Sequence, residues 1–288
     1  MSAFFGPAGN AESFKTMGYQ STLQAPEYVK KMGLDVYEYQ CGRGVRVSEE
    51  HAAAFRRNAQ KEGVLVTLHA PYFISLSSVE PEKRDKSVDY ILQSAKAVDM
   101  LGGDRIVVHS GSCAKITREA ALDLAKDTIR KAVRTLDEQG LGHIHMCPET
   151  MGKINQLGTL DEVLELCAID ERIIPCIDFG HLNARTFGGV NSKEAFLNVL
   201  DAIANKLGSD RQKRFHAHFS KIEYTDGGEK RHLTFEDKTF GPEFEPLAEL
   251  ILQKQLSPVI ICESAGTQAE DALFMKKVYN SLKEGTKQ

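Results

Sequence analysis

Short apolar runs that finish on a histidine or a carboxylate recur along this chain. Residues 64–70 (VLVTLHA) carry His69, residues 105–110 (RIVVHS) carry His109, and residues 143–150 (HIHMCPET) end beside Glu149. Residues 172–179 (RIIPCIDF) close on Asp178, with His181 just beyond. Residues 214–220 (RFHAHFS) carry His218, and residues 258–264 (PVIICES) carry Glu263. Helix-like segments separate these runs, and such alternation makes a parallel sheet with its helices outside. Adding residues 2–9 (SAFFGPAG) and 34–40 (LDVYEYQ) gives eight strands, which favours closure into a (β/α)8 barrel over an open sheet. In that α/β fold, the TIM barrel, the C-terminal strand ends meet at one mouth, so polar residues far apart in sequence become neighbours.

The intervening segments read as helices over 25–33, 48–63 (capped by Ser48), 82–101, from Thr117 to about Gln139, from Thr159, over 192–207, from Pro242, and over 268–282. A long polar loop is expected between the seventh strand and the helix at Pro242. No linker, repeat or composition break divides the chain, so a single barrel domain over residues 1–288 is expected. That length fits a barrel, which takes about 250 residues. Residues two apart share a strand face, so His145 aligns with Cys147 and Glu149, and His216 with His218; both histidines lie in deeper layers of the lumen and read as hydrogen-bonded core or supporting residues.

Composition excludes several classes. No apolar run approaches the ~18 residues of a membrane span, and the N-terminus lacks a basic segment leading into a long apolar one, so a cytoplasmic protein without membrane contact is expected. The six cysteines show no CxxC pair and read as small buried hydrophobes. A net charge of −4 argues against a nonspecific polyanion binder. It leaves room for a nucleic-acid enzyme whose positive field comes from bound metal ions.

Imidazole nitrogen and carboxylate oxygen are zinc donors, and two or three such ions near one another can clamp a phosphate during an in-line displacement. Three imidazoles and three carboxylates on strand ends suggest more than one ion, and Glu149 occupies the middle of the set. His51 and His143 read as an ordinary helix residue and a strand-start residue.

The segments His69–Ala70–Pro71–Tyr72, His109–Ser110–Gly111–Ser112, Pro148–Glu149–Thr150, Cys176–Ile177–Asp178–Phe179–Gly180–His181, His218–Phe219–Ser220 and Glu263–Ser264 resemble, in order, the motifs of the endonuclease IV family. The resemblance covers roughly residues 60 to 265, and its most specific piece is the D-x-x-H element. It implies a (β/α)8 barrel carrying up to three zinc ions, acting on double-stranded DNA by cutting 5′ to an abasic site, a step of base-excision repair. It also implies a first zinc on His69, His109 and Glu149, a second on Glu149, Asp178, His218 and Glu263, and a third on His181 and His232. Glu149 and Glu263 become the catalytic carboxylates, while Tyr72, Phe73 and Arg43 take DNA-binding positions. A monomer is expected.

One segment departs from the family. Its Asp-x-His element corresponds here to Lys230–Arg231–His232. A lysine would repel a cation, so two to three zinc ions are expected, the third depending on Glu229 or Asp226 reaching in, or on a register shift of one. The alternative enzyme is a single-metal sugar isomerase or epimerase of the xylose isomerase-like superfamily, using Glu149, Asp178, His218 and Glu263 alone, with carboxylates moving protons beside a carbonyl. A metal-dependent binder without turnover is the third reading.

Overall fold

The computed structural model describes residues 2–285; Met1 and residues 286–288 of the expected 1–288 span lie outside the described residues. The strands are β1 (Phe4–Pro7), β2 (Val36–Gln40), β3 (Leu65–His69), β4 (Arg105–Val108), β5 (His145–Pro148), β6 (Cys176–Asp178), β7 (His216–Phe219), β8 (Ile222–Thr225), β9 (Gly228–His232) and β10 (Val259–Cys262). Two four-stranded parallel sheets, β1-β10-β7-β6 and β2-β3-β4-β5, form the staves. Parallel bridges Ala8 to Glu38 and Glu149 to Cys176 join them at both seams. The result is the eight-stranded barrel expected from the alternation.

Strands β4, β7 and β10 are buried at every position because lumen and helix layer cover opposite faces. At the β1–β2 seam, a Cβ on Gly6 would lie 1.7 Å from the Val36 carbonyl oxygen, so only glycine lets these staves close. The capping hydroxyls act where the sequence puts them. Ser48, Thr117, Thr159 and Ser192 each accept a hydrogen bond from the third backbone N–H beyond, and Thr159 completes a reciprocal box with Glu162.

Three sequence expectations change. The polar loop after β7 contains the antiparallel hairpin β8–β9, whose turn at Asp226–Gly227 suits a two-residue hairpin connection. The helix expected from Pro242 runs over Glu245–Gln253, with Phe244 at its N-cap. A helix over Phe179–Arg185 follows β6 with no intervening loop, because Asp178 is at once the last strand residue and the N-cap. All six cysteines are unpaired, and five are buried. Among the described residues, no helix is long and apolar enough to cross a membrane.

Candidate metal centre

Glu149 stands at the centre of the barrel mouth. Its backbone N–H continues the β5 ladder to the Val108 carbonyl, at 3.0 Å, which fixes the side chain over the lumen. One carboxylate oxygen, Oε2, faces His109 Nε2 at 3.2 Å and His69 Nε2 at 3.5 Å. The other, Oε1, faces His218 Nδ1 at 3.1 Å and His181 Nδ1 at 3.4 Å. Glu263, just past β10, reaches His218 Nδ1 at 3.4 Å. A carboxylate with imidazoles on both oxygens has the geometry of a bridge between two cations.

The D-x-x-H element is explained by helix capping. Asp178 Oδ1 accepts from the His181 backbone N–H at 2.7 Å, so the imidazole rises directly above the carboxylate that caps its helix. Asp178 Oδ2 then lies 3.3 Å from His181 Nδ1. Spacing of three is what an N-cap contact requires, so one local motif delivers two metal-type side chains.

The hairpin supplies the remaining flank. Glu229 Oε2 lies 3.3 Å from His181 Nε2, and Glu229 Oε1 lies 4.0 Å from His232 Nε2. Pairing Arg231 with Glu223 and Glu229 with Tyr224 leaves Lys230 as the extra residue of a bulge. In a regular strand, residues three apart face opposite ways; the bulge restores Glu229 and His232 to one face. Lys230 is turned outward, its Nζ 2.5 Å from Glu223 Oε1, so the repulsion expected from it does not arise. Gly152 makes room for this flank, since a Cβ there would lie 2.5 Å from Glu229 Cβ. Ser220 Oγ holds His232 Nδ1 at 2.8 Å, leaving Nε2 toward the cleft.

Three groups of donors thus adjoin one another: His69–His109–Glu149, Glu149–Asp178–His218–Glu263 and His181–Glu229–His232, each with donor atoms within 4.8 Å. Glu149 Oε2 and Asp178 Oδ2 are buried without a hydrogen-bond partner among the described residues. Leaving such oxygens unsatisfied is costly, and divalent cations between the groups would satisfy both. The residues fit metal ions.

Electrostatics agree. Burial alone would raise the Glu149 carboxyl, but the His218 charge and the close imidazoles of His109, His181 and His218 hold it well below the usual range. Burial likewise acts to raise Glu263, and His218 brings it down to about 2. Asp178 goes the other way, to about 6, because burial dominates and the Glu263 and Glu149 charges reinforce it against His181. Burial acts to lower His69, yet Glu149 lifts it to about 9. Carboxylates packed this closely call for positive charge between them.

The xylose isomerase-like TIM barrel model matches residues 26–278. The chain belongs to that family. It is 32% identical over 278 residues to an uncharacterized protein of Methanocaldococcus jannaschii, covering 96% of this chain and 97% of that one. It is 29% identical over 262 residues to a probable endonuclease 4 of Mycoplasma pneumoniae, covering 89% and 84%. Among solved structures, a D-tagatose 3-epimerase-like protein superposes with a TM-score of 0.73 at 18% identity, covering 98% of this chain and 97% of that one. Endonuclease IV from Thermus thermophilus gives 0.68 at 20%, covering 98% and 99%. Both structures share the family fold, and at these identities they speak to fold alone.

Around this family's strand-end mouth the chain opens a cleft of about 370 Å³, lined by His69, His109, Glu149, Glu229 and Glu263 with Tyr72 at its rim. Asp178 and His218 form its buried floor. Tyr72 is 60% exposed. Phe73 is also exposed, but packs edge-on against Tyr90 at 4.7 Å rather than lining the cleft. Arg43 is exposed on the neighbouring loop, where the Tyr72 N–H donates to the Gly42 carbonyl, and it does not reach the cleft. Lys153 and Gln156 line the cleft without having been singled out in the sequence. Lys153 sits opposite Gly228 in a backbone bridge, and no sequence signal announces that pairing.

Proposed function

We propose that this chain is a zinc-dependent phosphodiester hydrolase that incises duplex DNA 5′ to abasic sites. The observation that carries the reading is the presence of three contiguous donor groups, with Glu149 shared by two of them. A single-metal isomerase needs only the four residues Glu149, Asp178, His218 and Glu263; it has no use for His69 and His109 within 3.5 Å of Glu149, or for the hairpin triad. Relatives named probable endonuclease 4 align over most of the chain and support the same reading.

His69, His109 and Glu149 would hold one zinc, Glu149, Asp178, His218 and Glu263 a second, and His181, Glu229 and His232 a third. Bound zinc would supply an activated water and the positive charge that stabilises a phosphodiester under attack. Glu263 lines the cleft beside that position and can accept the hydrogen bond that orients the water. Glu149 couples the two deeper groups. Tyr72, exposed at the rim with one edge contact to Phe73, is suited to enter a duplex where a base is missing, since unstacking costs least at a damaged position. Arg43, Arg46 and Lys153 form no ion pair among the described residues and are available to backbone phosphates.

The test is elemental analysis combined with an incision assay on a duplex bearing one abasic-site analogue. Two or more zinc ions per chain and a nick 5′ to the lesion are expected. One manganese or magnesium ion per chain, sugar interconversion and no nick would replace this reading with the epimerase, whose four-residue site is complete by itself.

A further inference from the structure

A fully buried carboxylate lies beneath the mouth, on a strand that contributes no member to the three donor groups there. Glu38, in the middle of β2, is 0% exposed and faces the lumen, a layer that barrels usually fill with branched apolar side chains. Each of its oxygens is met by donors. Thr67 Oγ1 donates to Oε2 at 3.0 Å, and His216 Nε2 lies 3.1 Å from the same atom. Gln40 Nε2 donates to Oε1 at 3.3 Å. His218 Nε2 stands 3.1 Å from Oε1, across the lumen from β2. His218 therefore faces carboxylates at both ends: Nδ1 looks up at Glu149 and Glu263, and Nε2 looks down at Glu38.

A neutral imidazole carries one proton, and the nitrogen without it is the one that can bind a metal. His218 Nε2 is buried without an aligned hydrogen bond among the described residues and faces Glu38 Oε1 at 3.1 Å, while Nδ1 makes its aligned contact with Glu149 Oε1. A cation seated between Nδ1 and Glu149 would replace that upper contact, and the one proton of the neutral ring would then sit on Nε2, toward the Glu38 carboxylate. His216 Nδ1 has no partner among the described residues, which places the His216 proton on Nε2, also facing Glu38. Thr67, Gln40 and His216 thus keep Glu38 charged and pointed, and Glu38 in turn sets His218. Burying a carboxylate this deep is costly unless donors surround it, and the same arrangement raises the basicity of a metal-binding imidazole.

We propose that Glu38 is a positioning residue for His218: from the layer below, it selects the tautomer and ring orientation that present Nδ1 to a cation held with Glu149, Asp178 and Glu263. The inference rests on the metal reading of the mouth, and it holds equally for the zinc nuclease and the single-metal epimerase, since both use His218.

The experiment measures Zn2+ affinity of the whole chain by competition with a chromophoric chelator, for wild type, Glu38→Gln, Glu38→Asp and Thr67→Val. In Glu38→Gln one zinc is expected to weaken by about 10–100-fold, while the ion at His69 and His109 keeps its affinity. Glu38→Asp, which retains a carboxylate, should recover part of the loss, and Thr67→Val should shift the same ion by less. Histidine 15N spectra at one fixed, limiting zinc concentration should show His218 coordinating through Nδ1 with its proton on Nε2 in wild type, and in Glu38→Gln a larger share of molecules whose Nδ1 carries a proton and no zinc. A merely structural role would lower the melting temperature of the metal-free variants and leave every zinc affinity unchanged; that result overturns the proposal. If Glu38→Gln does not fold, Thr67→Val decides by the same criterion. Wild type that takes up no Zn2+ at the mouth would instead overturn the metal reading, and this inference with it.

Discussion

The barrel mouth has two halves built in different ways. On one side, His69, His109, Glu149, Asp178, His218 and Glu263 sit on or just past the ends of β3, β4, β5, β6, β7 and β10, and Glu149, Asp178 and His218 are almost fully buried. On the other side, Glu229 and His232 come from the hairpin β8–β9, and their side chains are 15% and 27% exposed. Strand ends in a closed barrel are locked by neighbours on both sides. A two-stranded ribbon is marginal alone and borrows stability from what it touches, here the Lys153–Gly228 bridge, Gly152 and Ser220. One half is therefore built into the frame of the barrel, while the other is an attachment that brings a carboxylate and an imidazole up to His181.

The sharpest way to break this contrast is to remove its hinge residue. Glu149→Ala should lose at least about a hundredfold in incision rate and release zinc from both groups it joins. If Glu149→Ala keeps its zinc and its rate, the two groups do not depend on a shared carboxylate. Next, Glu229→Gln should lower the rate by about 10–100-fold and remove one zinc equivalent, with the remaining zinc unaffected. Lys230→Asp should change neither, because that side chain faces Glu223 on the outside; a gain of zinc in Lys230→Asp would mean that the bulge pairs differently in solution. A graded chelator titration should strip the hairpin ion before those of the strand ends.

The aromatic rim stands apart from both halves. Tyr72→Ala should weaken binding to a lesion-bearing duplex by about 1–3 kcal/mol without altering zinc content. Loss of zinc on that substitution would show that the rim supports the frame instead of reading DNA.

The smallest effect is expected on the outer face of the hairpin. Hydrogen bonds from Lys230 and then Arg231 hold the Glu223 carboxyl below its usual value of 4.5. A carboxyl lowered on folding contributes stability that is present above 4.5 and disappears as pH falls through its depressed value. In metal-free protein, hydrogen exchange across residues 222–232 should therefore quicken in acid, by a small amount because these groups are solvent-screened. Glu223→Gln should show no such dependence beyond that of the rest of the chain.

The metal-type side chains of the strand ends were readable because each finished an apolar run, and Asp178 with His181 through the D-x-x-H resemblance; the N-cap that enforces their spacing of three became visible only in the fold. The carboxylate of the hairpin was harder to read. Lys230 occupied the position where a strict two-residue spacing would put an acid, and Asp226–Gly227 signalled a hairpin only once Tyr224 and Glu229 were known to pair. Phe73 was legible as an exposed aromatic, but its packing on Tyr90 was not.

The chain's own pattern determined the barrel, its strand order and the residues that crown most of its staves, because hydrophobic periodicity and helix caps act over a few residues at a time. The tertiary structure alone decided which nitrogen of His218 looks upward, which carboxylate completes the hairpin flank, and that Glu38 lies under the floor. Those outcomes depend on atoms brought together across the lumen or by a single bulge, and nothing in local spacing records the distance between them.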